Sequence, residues 1–458
     1  MTHEALRAGI RERLEAKDAL GAWSLLGALE SRLTEDPELA AIWMDLCRIT
    51  PDRPGLRAEA EKVLGRWPDD PTLVQMACGA LLAAAERRPM DEPPLVADGP
   101  AQLAARAALR CLEGLPEAAR KDPEVAGYLL AQRGNALRLS GPNEDAAAQQ
   151  AFADALALDR EKGGWWFDLA LLHKWRGRFQ QGFECNLRAQ ARLGDTRAVL
   201  FNLGICATAI GDGNVAGLCW KKLGFPVDLH PKSGHAIVED LPPMQIRVLS
   251  KGTGYGFDGP VPDQAVGFEV VWVQPLSPCH GVVATPTFRE APIDYGDVVL
   301  WDAAPVAVVQ GESGPVPRFP LLEILRRGDE KRFRFVGLEQ RQGDTEALAE
   351  SLPEGTVVYV HEARVEHVCP TCASGDAWKK HEHLPPQETR IVYGKMCVPG
   401  GTSLADFRVR LEGVIGKNGR VQLAIPGLYE LLGDSKRAGQ EHQAWRGIER
   451  SAIKKGLV

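Results

Sequence analysis

At 458 residues with 45% apolar content, the chain exceeds one ordinary core and has the make-up of a globular protein of several domains, at about 100–200 residues each. Its formal charge of −7 argues against a protein that coats nucleic acid, while leaving room for a local basic patch. No apolar run reaches the ~18 residues of a membrane helix. The start, Met1-Thr-His-Glu-Ala-Leu-Arg, enters a charged amphipathic pattern without a signal-peptide core, so a cytoplasmic protein is expected.

Residues 1 to 88 alternate helical stripes with short breaks. Leu6, Ile10 and Leu14, then Ala22, Leu25, Leu26, Leu29 and Leu33, follow helical spacing. The breaks share a phrase, Asp36-Pro37, Asp70-Pro71 and Asp122-Pro123. An Asp before Pro suits a helix start, because the carboxylate caps free N–H groups and Pro fills a first-turn position that needs no donor. Between the second and third phrases lies a Pro-rich loop, Arg88 to Pro100. Continuing the phase predicts further starts near Arg160 and Asp195, about five helix pairs in all.

From Asp122 to Leu223 the register is sharper. Gly134, Ala170 and Gly204 share one phase; Phe152 with Ala155, Asn186 with Ala189, and Trp220 with Leu223 share another. Successive members lie roughly 34–36 residues apart, the period of a helix–turn–helix repeat. Trp165, Trp166 and Trp175 are read as filling the seam between repeats. Cys47, Cys78, Cys111, Cys185, Cys206 and Cys219 stand singly in helical patterns and read as small buried hydrophobes rather than a disulfide framework.

On these residues, most closely between Val125 and Leu223, the chain resembles the tetratricopeptide repeat (TPR) family. Trp166, Leu169 and Ala170 match the first helix of one repeat, and Ala148, Phe152 and Ala155 the second helix of the repeat before it. The resemblance implies a right-handed superhelix whose concave face, lined by first helices, takes a peptide or a partner helix. It implies that Asn135, Arg138, Lys174, Phe201 and Asn202 line that groove. Ala131, Asp168 and Ala198 stand where the carboxylate clamp of one TPR subset needs polar or basic groups, which argues against capture of chaperone tails.

Residues 225–243 read as a Pro/Gly-punctuated linker. Strand signals follow at Met244–Leu249, Val270–Val273, Val298–Trp301, Val306–Val309, Arg332–Val336, Val357–Val360, Arg390–Tyr393, Phe407–Leu411 and Val421–Ile425. A helix is expected over Asp344–Ser351 and a polar one from about Asp434 to Lys455. Offsets of about 87–88 residues relate Val270–Val273 to Val357–Val360, Phe319 to Phe407, Gly328 to Gly416 and Arg332–Phe335 to Arg420–Leu423. They suggest an internal duplication of an α+β unit.

The remaining cysteines stand among histidines. Cys369-Pro-Thr-Cys372 is followed by His381-Glu-His383 and by Cys397. Two thiolates at this spacing suit one zinc, with Cys369, Cys372, Cys397 and either His381 or His383 completing four ligands; Cys279 and His280 are further candidates if the two copies pack face to face. Redox use of the pair is disfavoured by Pro370 and the following Ser-Gly-Asp, which read as a loop. Cys279 beside His280 could be a nucleophile only if a distant base such as His361 or His367 reached it. Lys331-Arg-Phe-Arg-Phe335 could be a nucleic-acid platform, but reads better as a strand with phenylalanines inward and arginines solvated.

The expected layout is a TPR-like helical-repeat domain over 1–224, a linker over 225–243, and α+β units over 244–341 and 342–458, β-rich and duplicated, the second carrying the Cys/His loop. The expected function is a cytosolic scaffold or adaptor that binds a protein partner, with a C-terminal module held by zinc, rather than an enzyme. The alternatives are a metal- or cysteine-dependent hydrolase recruited by the repeats, and a nucleic-acid-binding regulator.

Overall fold

Asp36 and Asp70 cap the helices that follow them, their carboxylates accepting the backbone N–H of Leu39 and of Thr72 and Leu73, with Pro37 and Pro71 in the first turn. The structure, a computed structural model, describes residues 2–453 except 28, 51–54, 87–99, 124, 250–267, 289–290, 312–313 and 369–386. The chain is multidomain, with a helical N-terminal region and a β-rich C-terminal region. The helices are α1 (His3–Glu15), α2 (Ala19–Gly27), α3 (Pro37–Ile49), α4 (Leu56–Arg66), α5 (Pro71–Ala85), α6 (Pro100–Gly114) and a short α7 (Glu117–Arg120). Then come α8 (Ala126–Ser140), α9 (Asp145–Leu158), α10 (Gly163–Trp175), α11 (Phe179–Leu193), α12 (Arg197–Ala209) and α13 (Gly213–Lys222).

Each of α3, α5, α8, α10 and α12 packs on the helix that pairs with it, and each of the first four also packs on the next of the five. That neighbour scheme is the one expected of stacked helix pairs. The 34-residue phase has a steric origin. A Cβ on Gly134 would meet the Phe152 ring at 2.9 Å, and one on Gly204 would meet the Trp220 ring at 2.5 Å. A bare backbone on the first helix of a pair seats a large ring from the second. Asn186, at the same phase, turns its amide back onto the Gly182 carbonyl at 2.9 Å. Trp165 and Trp175 are buried in the seams as expected, while Trp166 is only partly covered.

The expected linker contains a small hairpin, β1 (Asp228–Leu229) with β2 (Ala236–Ile237), packed on α13. Next come β3 (Met244–Leu249), β4 (Phe268–Ser277), β5 (His280–Val283), β6 (Val298–Trp301), β7 (Ala307–Gly311) and β8 (Gly314–Arg326), a sheet ordered β3-β4-β5-β6-β8-β7. β3 also pairs β8 in parallel, Ile246 opposite Phe319. β9 (Lys331–Glu339), a 3-10 turn over Glu346–Ser351, β10 (Val357–Val368), β11 (Gln387–Val398), α14 (Leu404–Asn418), β12 (Val421–Ala424), α15 (Pro426–Leu431) and α16 (Ser435–Ile453) complete the chain. The second sheet is ordered β10-β11-β9-β12.

Two compact units result. The first comprises Met1–Val270, Gln274–Gly281 and Val299–Glu323; the second comprises Val271–Val273, Val282–Val298 and Ile324–Val458. Within the second, alternation on β9 sends Phe333 and Phe335 to a core shared with Phe407 and Leu411 of α14 and Leu428 of α15. Val336 and Leu338 face Ile448 and Trp445 of α16. Its four-stranded sheet is thus covered on both faces.

Three expectations of the sequence differ from this arrangement. Residue 341 is not a sheet boundary, because β9 lies between β11 and β12 with Phe335 opposite Gly394 and Val336 opposite Ala424. Two of the offset pairs do not mark equivalent positions: Phe319 lies on a strand and Phe407 on a helix, and Gly328 lies between strands while Gly416 lies inside α14. Phe407–Leu411 is helical. Its Phe-Arg-Val-Arg-Leu alternation fits a strand over five residues, but Leu404, Phe407, Leu411 and Val414 keep helical spacing behind a Ser403 cap.

Candidate partner groove on the first helices

The face shared by α8, α10 and α12 carries a connected set of polar side chains. Arg138 of α8 is buried, ion-paired with Glu86 at the C-terminal end of α5. Its guanidinium donates to Asn135 Oδ1 at 3.1–3.2 Å and lies 4.6 Å from the centre of the Trp175 ring. Asn135 Nδ2 in turn donates to Asp168 Oδ2 of α10 at 2.8 Å. Burial pushes the Asp168 carboxyl up to about 6, and Glu86 adds to this, against the pull of Asn135 and Arg138.

Nearly two turns further along α10, Lys174 Nζ donates to Asn202 Oδ1 of α12 at 2.5 Å and sits 2.6 Å from Asp302 Oδ2. The Trp175 indole N–H donates to the same carboxylate oxygen at 2.5 Å, and the Ala304 N–H to the other at 3.0 Å. Burial by itself raises the Asp302 carboxyl; the Lys174 charge and these donors outweigh it and hold it below the usual range. Phe201 is half-buried against Trp220, with Arg197 over its ring.

Of the five expected groove residues, Asn135 and Arg138 thus belong to one network across α5, α8 and α10. Lys174 and Asn202 are covered by the chain's own Asp302, and Phe201 packs on α13. Sequence reasoning missed Asp302, Glu86 and the role of Trp175. Asp302 stands 128 positions from Lys174, and nothing local marks it.

Nearer the N-terminus the same face stays reachable. Side chains of Arg48 on α3 and Gln132 on α8 both border Gly79 of α5, and Arg48 is exposed. Gln132 donates to the Gln75 carbonyl at 2.7 Å.

The chemistry at Cys279 runs against nucleophilic use. Burial pushes its thiol up to about 12 despite hydrogen bonds to Thr208 and Ser277, and burial pushes His280 down to about 3. A working Cys–His pair needs the opposite shifts. Ser277 Oγ meets His280 Nδ1 at 2.5 Å, which accounts for a buried neutral imidazole.

Cys369, Cys372, His381 and His383 lie outside the described residues. Cys397 is fully buried on β11, opposite Val357 of β10 and Arg332 of β9. Val368 pairs with Gln387 at the other end of the same hairpin. Ten residues of strand at about 3.3 Å each separate the two ends by roughly 33 Å. The expected ligand Cys397 thus stands at the opposite end of the hairpin from Val368. Among the described residues no group of three or more His, Cys, Asp or Glu side chains is placed to hold a metal.

On β9, Phe333 and Phe335 face inward and Arg334 is exposed. Arg332 is tied to the Tyr295 carbonyl and to the fully buried Asp297. No described helix is long and apolar enough to cross a membrane.

No protein-family profile and no curated protein matches the chain. Among solved structures, the crystal structure of MamA protein is similar at 13% identity and a TM-score of 0.27, over 48% of this chain and 88% of that one. At that score the likeness carries no argument about fold or function.

Proposed function

We propose that the chain is a protein-interaction scaffold whose stacked helix pairs form a TPR-like groove for a protein or peptide partner. The supporting observation is the set of polar side chains Gln132, Asn135, Arg138 and Asp168 on one face of α8 and α10, with Arg48 of α3 bordering it across Gly79 of α5. A face meant only for solvent would not hold Arg138 buried between Glu86 and the Trp175 ring. The partner lies along α3 to α10 and reaches Asn135, while Phe201 packs on α13 and Lys174 and Asn202 hold the end that Asp302 covers.

A photo-reactive benzoylphenylalanine at Arg48, compared with one at the exposed Gln150 of α9, tests this in the full chain. One polypeptide cross-linked from position 48 and not from 150 is the expected result. Equal adducts at both positions, or none from 48, overturn the groove.

We also propose a structural zinc held by Cys369, Cys372, His381 and His383. What supports it is the register of β10 and β11: Val368, next to Cys369, pairs with Gln387, four residues after His383. Two thiolates and two imidazoles flanking paired strand ends make a suitable tetrahedral donor set. About one zinc per chain, lost in Cys369→Ala/Cys372→Ala, is expected. Metal-free protein kept reduced removes the site.

A further inference from the structure

A second concavity, unrelated to the first-helix face, opens among α9, α10 and α11. It has a volume of about 520 Å³, with Leu156, Leu169 and Trp166 contributing its apolar lining and Arg160, Arg188 and Arg192 its charge; no carboxylate lines it. That size suits a small organic ligand. The Trp166 indole N–H donates to the Arg160 carbonyl at 2.9 Å, which orients the ring, and the Arg188 guanidinium lies 4.7 Å from the ring centre.

The cationic side is under-compensated. Arg188 and Arg192 stand four apart on α11, where like charges repel. Arg192 pairs with the exposed Glu161 at 3.0 Å and donates its other terminal nitrogen to the Arg188 carbonyl at 3.1 Å, while its buried Nε has no hydrogen-bond partner among the described residues. No ion pair to a carboxylate is formed by Arg160 or Arg188 among the described residues. A protein with net charge −7 has here gathered three guanidinium groups over an oily floor.

We propose that this cavity binds a small amphipathic organic anion, its ring or short acyl body on Leu156, Leu169 and Trp166 and its carboxylate, sulfonate or phosphate held by the three arginines. Guanidinium groups suit such oxyanions because they offer parallel donors in a planar fork.

The test uses the full chain and the dye 1-anilinonaphthalene-8-sulfonate, with uncharged N-phenyl-1-naphthylamine as its ring-matched control. One saturable site is expected for the sulfonate, and binding of the neutral analogue at least about tenfold weaker, the scale of one lost charged hydrogen bond. Arg160→Gln/Arg188→Gln and Arg160→Glu/Arg188→Glu lose the site with unchanged circular dichroism, while Arg11→Glu on α1 keeps it. Equal binding of the neutral dye, or full binding by the glutamine pair, overturns the proposal. Displacement of the dye by polyglutamate but not by decanoate also overturns it, by assigning the site to an acidic polypeptide.

Discussion

Lys174 Nζ and Asp302 Oδ2 lie 2.6 Å apart with both side chains almost wholly buried. Breaking such a pair strands a charge, whereas replacing both ends with apolar groups is often tolerated. Lys174→Met and Asp302→Leu alone are each expected to cost about 3–5 kcal/mol. The double variant is expected to regain most of that. A denaturant double-mutant cycle measures the coupling, and additive losses would refute the ion-pair account.

Asp168 carries a pH signature of the opposite kind. Its folded pKa of about 6 exceeds the unfolded value of about 3.9. Between those values the folded chain binds a proton that the unfolded chain does not, so this group makes stability rise as pH falls from 6 to 4. The full shift corresponds to about 3 kcal/mol as an upper bound. Asp168→Asn should be more stable than the parent at pH 7–8 and lack this gain on acidification. Urea midpoints at pH 8, 6 and 5 for both proteins decide the matter.

Gly204→Ala pushes a methyl group into the Trp220 ring and should cost about 1–3 kcal/mol. Gly416→Ala, in α14 with nothing within 4 Å of the new methyl, should stabilise by about 0.5–1 kcal/mol through helix propensity. Thermal unfolding of the two variants should therefore move in opposite directions. A shift of the same sign would show that steric seating does not set the repeat phase.

On β9, Phe335→Ala opens the core shared with α14 and should cost about 3–5 kcal/mol. Arg334→Ala, solvated, should change stability by less than about 0.5 kcal/mol. If Arg334→Ala instead abolished salt-sensitive binding to a single-stranded oligonucleotide, the nucleic-acid reading would return.

Cys397→Ala should leave metal content unchanged, because the thiol lies at the far end of the hairpin from Val368. Loss of zinc in that variant, with the fold intact, would mean that the hairpin register differs from the one described.

Local signals carried far along this chain. The Asp–Pro phrases placed two helix starts, because a cap and its helix are separated by only three residues. The sequence marked Gly134 and Gly204 at one phase and Phe152 and Trp220 at another, and the helix pairs seat each of these rings against one of these glycines. Phe407–Leu411 was misread because five residues satisfy both periods and the cap lies outside that window. The Asp122–Pro123 phrase likewise overstated its reach: α8 begins at Ala126 with no side-chain cap. Strand partners were out of reach altogether, since β9 ends at Glu339 while its partners β11 and β12 begin only at Gln387 and Val421. The polar side chains of α8, α10 and α12 were legible as one face of helices. The carboxylate that pairs with Lys174 was not.

The position of Asp302 has a practical corollary for anyone dissecting this protein. Composition changes after Leu223, and a truncation there looks natural on paper. Such a fragment would retain Lys174 in a site shaped for a counter-ion it no longer possesses, together with an indole N–H left without its acceptor. The helical half is thus not a portable cassette: its last repeats are completed by a residue encoded some eighty positions beyond their apparent end.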